Sequence, residues 1–194
     1  CLPDIPKELD AIFQKTKNIL LKTSPLLDIS QGISELKCVK EIHVVAVKNE
    51  VKELLWILEK GYQGNIEIKT VNLAKSRTQH FDFTLSAEKE LVSALALPST
   101  YLYEPNAAIM KSGGFKAIGK VLGVKKLQEH SHLYTSETLL DFPGRRFQIE
   151  SVLPYSKKAL QKLGLTKANI TTRNFSESVA NLRKKLKLKD GGDV

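Results

Sequence analysis

The residues best placed to do chemistry in this sequence are the cations of its last quarter. The stretch from Lys167 to Gly192, KANITTRNFSESVANLRKKLKLKDGG, holds a helix-forming run dense in lysine and arginine. Residues 151–194 carry ten lysines and arginines against three acids, a net charge of +7 within the +9 of the 194-residue chain. Such a balance favours anionic partners, nucleic acid first and an anionic membrane surface second.

A helical wheel separates these cations from an apolar stripe. At about 100° per residue, Val179, Leu182 and Leu186 fall on one side of the helix. We predict that this stripe packs on the domain while the cations face water and contact RNA. The predicted RNA-binding set also takes in polar and basic residues of neighbouring elements: Lys157, Lys158, Lys167, Arg173, Asn174, Arg183, Lys184, Lys185 and Lys187.

The same basic face has an alternative interpretation. A charged helix face is often only solvated, which would make this a structural or protein-interaction domain. Aromatic residues that could stack on bases are sparse after Phe147, where only Tyr155 and Phe175 follow. If RNA is the partner, recognition of its backbone or shape is therefore favoured over stacking on single strands.

Other chemistries have weaker signals. The glycine-rich stretch at 113–119 lacks the strand and helix context of a phosphate-binding loop, and we interpret it as a turn. His130 and His132 form an HxH pair without a carboxylate or thiol cluster at a useful spacing, so no metal site is predicted. Cys1 and Cys38 are expected to be reduced thiols of a cytoplasmic protein. No apolar run approaches the roughly 18 residues of a membrane span, so no membrane partner is expected.

The elements that would position these residues indicate an α/β fold. The first 74 residues predict α-β-α-β-α-β, part of an open and mostly parallel sheet, with Ile19–Leu21 as a strand buried on both faces. In this interpretation EVKELLWILEKG is a helix that Gly61 ends. Pro105 is predicted to open one helix, and Gly113 and Gly114 separate it from a second. The last part predicts β-α-β-α: Ser156 caps its first helix, KANITT is a strand, and Asn174 caps the basic helix in a capping box with Glu177 reaching back.

One polar group follows the first predicted strand. Lys22, Ser24 and Asp28 come after a strand end, where ligands of open α/β sheets bind. They are candidates for the rim of a cofactor site, although Ser24 and Pro25 are equally consistent with a simple turn.

Three stretches carry a resemblance to a known family: ILLKTSPLLDI, YLYEPNAAIMKSGGF, and FPGRRFQIESV followed by the basic C-terminal stretch. Together they resemble the C-terminal region of bacterial class I S-adenosylmethionine-dependent methyltransferases of the RNA-methylase type. The resemblance implies a Rossmann-like methyltransferase remnant at 1–74, a ferredoxin-like segment at 78–125 and a THUMP-like domain at 126–194. A THUMP-like domain implies that the partner is an RNA, either tRNA or rRNA.

The resemblance also implies where the reaction would take place. The family's cofactor-binding glycine loop and its acidic-Pro-Pro motif lie upstream of the matching region, and this sequence has neither. We therefore expect S-adenosylmethionine to be the cofactor of a longer parent protein and expect none to bind this chain alone. The catalytic residues would lie upstream of Cys1, which leaves the catalytic status of this chain open. A start in the middle of an α/β pattern and an end on a turn agree with a piece of a longer protein.

Overall fold

The structure, a computed structural model, describes residues 3–75 and 77–191 and contains two β-sheets. Its helices are α1 (Ile5–Lys15), α2 (Ile29–Glu35), α3 (Leu85–Glu90), α4 (Ala107–Ser112), α5 (Phe115–Leu122), α6 (Lys157–Gln161) and α7 (Val179–Leu186). Its strands are β1 (Asn18–Thr23), β2 (Val39–Val47), β3 (Glu50–Glu59), β4 (Glu67–Leu73), β5 (Thr78–Thr84), β6 (Tyr101–Pro105), β7 (Lys125–Lys126), β8 (Tyr134–Ser136) and β9 (Gly144–Gln148). The predicted mixed α/β class is confirmed.

The first sheet has the strand order β1-β3-β2-β4-β5. Strands β2 and β4 pair in parallel, whereas β1 with β3, β3 with β2, and β4 with β5 pair antiparallel. The expectation of a mostly parallel sheet is therefore wrong. Strand β5 belongs to this sheet, although its residues were expected at the start of the ferredoxin-like segment.

The stretch predicted as a helix before Gly61 is strand β3, and this prediction is wrong. Its burial alternates, with Leu54, Trp56 and Leu58 fully buried on one face. Lys48 and Asn49 both have positive φ, at 51° and 65°, and form the two-residue turn that joins β2 to β3. The continuous apolar run hid the alternation, because period alone does not separate a short buried strand from a helix.

Strand β1 is an edge strand within the described residues rather than a strand buried on both faces. It pairs only with β3, and Leu20 is 67% exposed. Helices α1 and α2 cover the core face of the sheet, where Leu9 and Phe13 join the cluster around Trp56. Gly32 of α2 lies directly against the indole, where a Cβ would overlap the ring.

The second sheet has the antiparallel order β7-β8-β6-β9, with α4 and α5 connecting β6 to β7. The predicted break between two helices at Gly113 and Gly114 is confirmed, and Gly113 ends α4 with a φ of 78°. Pro105 does not open α4 as predicted. It ends β6, and Asn106 caps the helix by accepting a hydrogen bond from the N–H of Ile109 at 3.1 Å.

A network of side-chain amides joins the two sheets. The Gln79 side-chain oxygen accepts hydrogen bonds from Asn72 and from Asn106, both at 3.0 Å. The Asn49 carboxamide oxygen accepts from the N–H of Ala107 at 2.7 Å. These bonds tie strands β4 and β5 and the β2–β3 turn to the start of α4, which fixes the second sheet against the first.

The C-terminal segment differs most from the prediction. KANITT forms no strand, and only a single parallel bridge joins Lys167 to Lys189. The predicted β-α-β-α order is therefore wrong in this segment. Ser156 caps α6 as predicted, through a hydrogen bond from the N–H of Ala159 at 3.1 Å. The predicted turn at the chain end lies partly outside the described residues. Cys1 also lies outside them.

Candidate nucleic-acid interface

Helix α7 carries the basic face that the sequence predicts, but it begins later than expected. Ser178 is its N-cap and accepts from the N–H of Asn181 at 3.3 Å. Asn174, the predicted cap, has a φ of 48° and lies in the bend before the helix. A residue in that left-handed conformation lacks the extended backbone that an N-cap normally has. Leu182 is buried as the apolar stripe requires.

Two arginines of the predicted RNA-binding set are held by acids of the chain. Arg173 forms an ion pair with Glu104 of β6, whose side chain is buried, and Arg145 of β9 binds the other oxygen of the same carboxylate. Arg183 pairs with Asp190 and donates to the carbonyl oxygen of Ala168 at 3.2 Å. Both guanidinium groups therefore hold the C-terminal segment in place.

Lys185 is also engaged. Its ammonium lies 3.0 Å from a Glu177 oxygen and 4.9 Å from the centre of the Tyr155 ring, and the Tyr155 hydroxyl donates to the same oxygen at 2.8 Å. The hydrogen bond from Lys185, and then that from Tyr155, lowers the pKa of the Glu177 carboxyl and favours its charged form. Glu177 therefore binds Lys185 instead of closing the predicted capping box.

The remaining lysines are exposed and, within residues 3–75 and 77–191, form no ion pair. They include five members of the predicted set, Lys157, Lys158, Lys167, Lys184 and Lys187, and two cations outside it, Lys162 and Lys189. Lys184 lies in the last turn of α7, and Lys187 is the C-cap residue that follows the helix in a left-handed conformation, with a φ of 57°. The bridge from Lys167 brings Lys189 next to it. Sequence reasoning missed Lys189 because that bridge has no sequence signature.

The predicted rim residues of a cofactor site each have a local structural partner. Lys22 forms an ion pair with Glu53 at 3.2 Å. The Ser24 hydroxyl accepts from the N–H of Leu26 at 3.2 Å, and Asp28 caps α2 by accepting from the N–H of Gln31 at 3.0 Å. In the structure these contacts are a surface ion pair, a turn and a helix cap.

The two histidines do not converge on a metal site. His132 stacks on Phe115 with ring centres 3.7 Å apart, and it has a φ of 52°. Burial, followed by the nearby charges of Lys126 and His130, lowers the pKa of His132. The residues that the structure describes hold no group of three or more potential metal ligands. Within the same ranges, no helix is long and apolar enough to cross a bilayer.

Comparisons with known proteins agree with this architecture. The chain superposes with a TM-score of 0.90 on the crystal structure of a candidate methyltransferase from Porphyromonas gingivalis W83. The two sequences are 36% identical, and the match covers 99% of this chain and 50% of that one, so this chain spans about half the length of that protein. No match was found among curated proteins.

Two family models match the second half of the chain. Residues 101–143 match the model of a ferredoxin-like domain, which covers the stretch from β6 to the residue before β9. Residues 144–194 match the model of a THUMP domain-like family, which includes α6 and α7 and therefore the basic face. The chain thus contains a ferredoxin-like domain at 101–143 followed by a THUMP-like domain at 144–194.

Proposed function

We propose that this chain is the RNA-recognition part of an S-adenosylmethionine-dependent RNA methyltransferase. The match to a THUMP-like domain and the similarity to a candidate methyltransferase support this proposal. In it, residues 144–194 bind the backbone of a structured RNA such as tRNA or rRNA. The first sheet connects that domain to the catalytic part of a longer protein.

The observation that best supports this proposal is the concentration of exposed lysines on the THUMP-like domain. Residues 144–194 contain twelve cations and four acids, a net charge of +8. The arginines of this domain and Lys185 form ion pairs with acids of the chain. The other lysines form no ion pair with a residue that the structure describes, and they lie in water as point charges on flexible stems. Lysines of this kind contact phosphates without reading sequence.

The positions of these lysines suit a backbone rather than a single anion. Lys157 and Lys158 start α6, which packs against α7. Lys184 lies in the last turn of α7, Lys187 is its C-cap, and Lys189 follows, beside Lys167. Three pairs of cations on adjacent elements can contact several phosphates along a strand, and each contact releases counterions.

The cofactor would bind outside the residues of this chain in our proposal. S-adenosylmethionine supplies the methyl group when it is bound by the full-length protein. This chain would contribute the strand edge of β1, whose outer side is unpaired within the described residues and could continue into further strands. We propose that residues 1–74 belong to such a larger methyltransferase sheet.

The proposal is tested by RNA affinity with charge-matched variants. The test variant replaces Lys157, Lys184 and Lys187 with glutamine, and the control replaces Lys15, Lys17 and Lys60, which are also exposed. Fluorescence anisotropy with labelled tRNA and a labelled RNA duplex would measure both. We expect the test variant to bind about tenfold or more weakly, because it loses charge-assisted contacts, and the control to bind nearly as the parent does.

Two outcomes would contradict the proposal. One is an absence of RNA binding by the parent chain at low salt. The other is equal affinity of the two variants, which would mean that the lysines of the THUMP-like domain are only a solvated surface. Circular dichroism melting of each variant establishes that both are folded.

A further inference from the structure

A cleft in the ferredoxin-like region lies outside the basic face described above. It runs between the loop at 91–99 and the elements α5 and β7, and consists of two adjoining cavities of about 420 and 250 Å³. Both cavities are lined by Val92, Ser93, Phe115, Lys116 and Lys126. The shared wall makes them two halves of one cleft.

The smaller half is lined by cations without a carboxylate among its lining residues. Lys116 and Lys120 lie one turn apart on α5, and Lys125 and Lys126 form β7 opposite them. Lys120 and Lys125 are exposed and form no ion pair within the part of the chain that the structure describes. The Lys116 ammonium donates to the carbonyl oxygen of Lys89 at 3.2 Å, which leaves Lys120 and Lys125 to attract an anion at this half.

Lys126 lies in the wall that the two halves share. The residue is 4% exposed, its ammonium donates to the carbonyl oxygen of Glu129 at 2.7 Å, and it lies 5.6 Å from the centre of the Phe115 ring. Burial lowers the pKa of Lys126, whereas the nearby carboxylates of Glu88 and Glu129 raise it and the charge of Lys116 lowers it. Its charge is therefore offset in part by groups of the cleft itself.

The larger half is apolar with an acidic margin. Leu91, Leu95 and the Phe115 ring form its wall. The carboxylate of Glu88 is already used, since it accepts from the N–H groups of Lys116 at 2.9 Å and Ala117 at 2.7 Å. Glu129 is exposed at the margin and could accept from the amino group of a base.

We propose that this cleft binds one unpaired nucleotide of the RNA, with the base against the apolar wall of the larger half and the phosphate near Lys120 of α5 and Lys125 of β7. The ligand class rests on the proposed function, but the site is separate from the THUMP-like domain. A flat apolar half joined to a cationic half matches the two ends of a nucleotide. An aromatic ring beside a cationic groove is the usual arrangement for holding a single strand.

Two residues of the same loop give a matched test. Val92 lines both cavities and is 90% exposed, whereas Leu97 is 87% exposed and lines neither. We expect Val92→Asp to weaken binding of a labelled single-stranded 12-mer RNA by about tenfold, because it places a carboxylate beside the phosphate. Leu97→Asp should change the affinity less than about twofold. Equal affinities for the two variants would overturn the proposal.

A lysine variant tests the phosphate end. The double variant Lys120→Gln, Lys125→Gln should bind the same RNA about tenfold more weakly than the parent chain. The double variant Lys15→Gln, Lys17→Gln, which loses the same charge, is its control. Adenosine monophosphate serves as the second probe. We expect it to bind at least tenfold more weakly than the 12-mer, and equal or tighter binding would overturn the assignment to RNA.

The results separate this inference from the proposed function. If the variant of Lys157, Lys184 and Lys187 loses affinity while Val92→Asp does not, only the cleft proposal is wrong. If the parent chain binds no RNA, the proposed function is wrong as well. If Val92→Asp weakens binding and Leu97→Asp does not, the cleft is an RNA site whatever the THUMP-like lysines do.

Discussion

Glu104 is the residue that ties the C-terminal segment to the second sheet. Its side chain is buried on β6 and receives Arg145 from β9 and Arg173 from the segment before α7. A carboxylate in such a position needs both partners, because a buried charge without compensation is costly. Arg173 was predicted to contact RNA, and in the structure its charge already has this intramolecular partner.

We predict that Glu104→Gln lowers the free energy of unfolding by about 1–3 kcal/mol, because it leaves two guanidinium groups without their anion. The lower part of this range applies if water reaches the partly exposed arginines. Urea denaturation measures the change, with Glu137→Gln as the control, since Glu137 is exposed. Equal stability of the two variants would show that the pairing contributes nothing.

His132 provides a pH-dependent prediction. Its pKa is lowered by burial, so the protonated form is disfavoured in the folded chain and forms freely in the unfolded chain. The stability that this residue contributes is present above pH about 6.5 and is lost as the pH falls below that value. One proton accounts for a slope of at most about 1.4 kcal/mol per pH unit.

The test compares His132→Asn with His130→Asn, since asparagine tolerates the positive φ of position 132 and His130 is exposed. Unfolding free energies between pH 7.5 and pH 5 should fall less steeply for His132→Asn than for the parent. His130→Asn should follow the parent curve. Parallel curves for all three proteins would contradict the pKa shift of His132.

At the scale of elements, the two matched domains share a sheet. Strand β9 begins the THUMP-like match at Gly144, yet it pairs with β6 of the ferredoxin-like domain. Gly144 makes this possible, because its backbone approaches Glu104 so closely that a Cβ would overlap the Glu104 carbonyl oxygen. The backbone nitrogen of Asn106, the cap of α4, is also 3.0 Å from that Cβ position.

We predict that Gly144→Ala lowers the free energy of unfolding by about 3 kcal/mol or more, because the obstructing atoms belong to the backbone and the β6–β9 pairing must shift. Gly32→Ala should also destabilise the fold, because the Trp56 ring that its Cβ would meet is fully buried and must shift. Thermal and urea unfolding of each variant against the parent would measure the changes. A neutral Gly144→Ala would contradict the close approach of β9 to β6.

The elements also show which local structures could be predicted from sequence patterns. The α4–α5 break and the cap of α6 have local signals, glycines and a serine, and were predicted correctly. Strand β3 was not, because its apolar residues lie on both faces and the Lys48–Asn49 turn was not recognised. The start of α7 was misplaced because two polar residues, Asn174 and Ser178, could each serve as the cap.

At the scale of the whole molecule, one domain carries almost all of the net positive charge. The THUMP-like match holds +8 of the net +9. Composition alone revealed this concentration, and the burial of Leu182 in the apolar stripe of α7 was predicted correctly from its period. The ion pairs of Arg173 and Arg183 could not be predicted, because Glu104 lies far from Arg173 in sequence and Asp190 faces Arg183 only after α7 ends.

The central claim is that the lysines of the THUMP-like domain contact RNA phosphates, and the salt dependence of RNA affinity tests it most directly. Each lost phosphate contact flattens the slope of log affinity against log salt by roughly 0.7–0.9. The variant of Lys157, Lys184 and Lys187 should therefore have a slope about 2 units flatter than the parent, while Arg183→Gln should leave the slope nearly unchanged. Parallel slopes for the parent and a folded triple-lysine variant would contradict the claim.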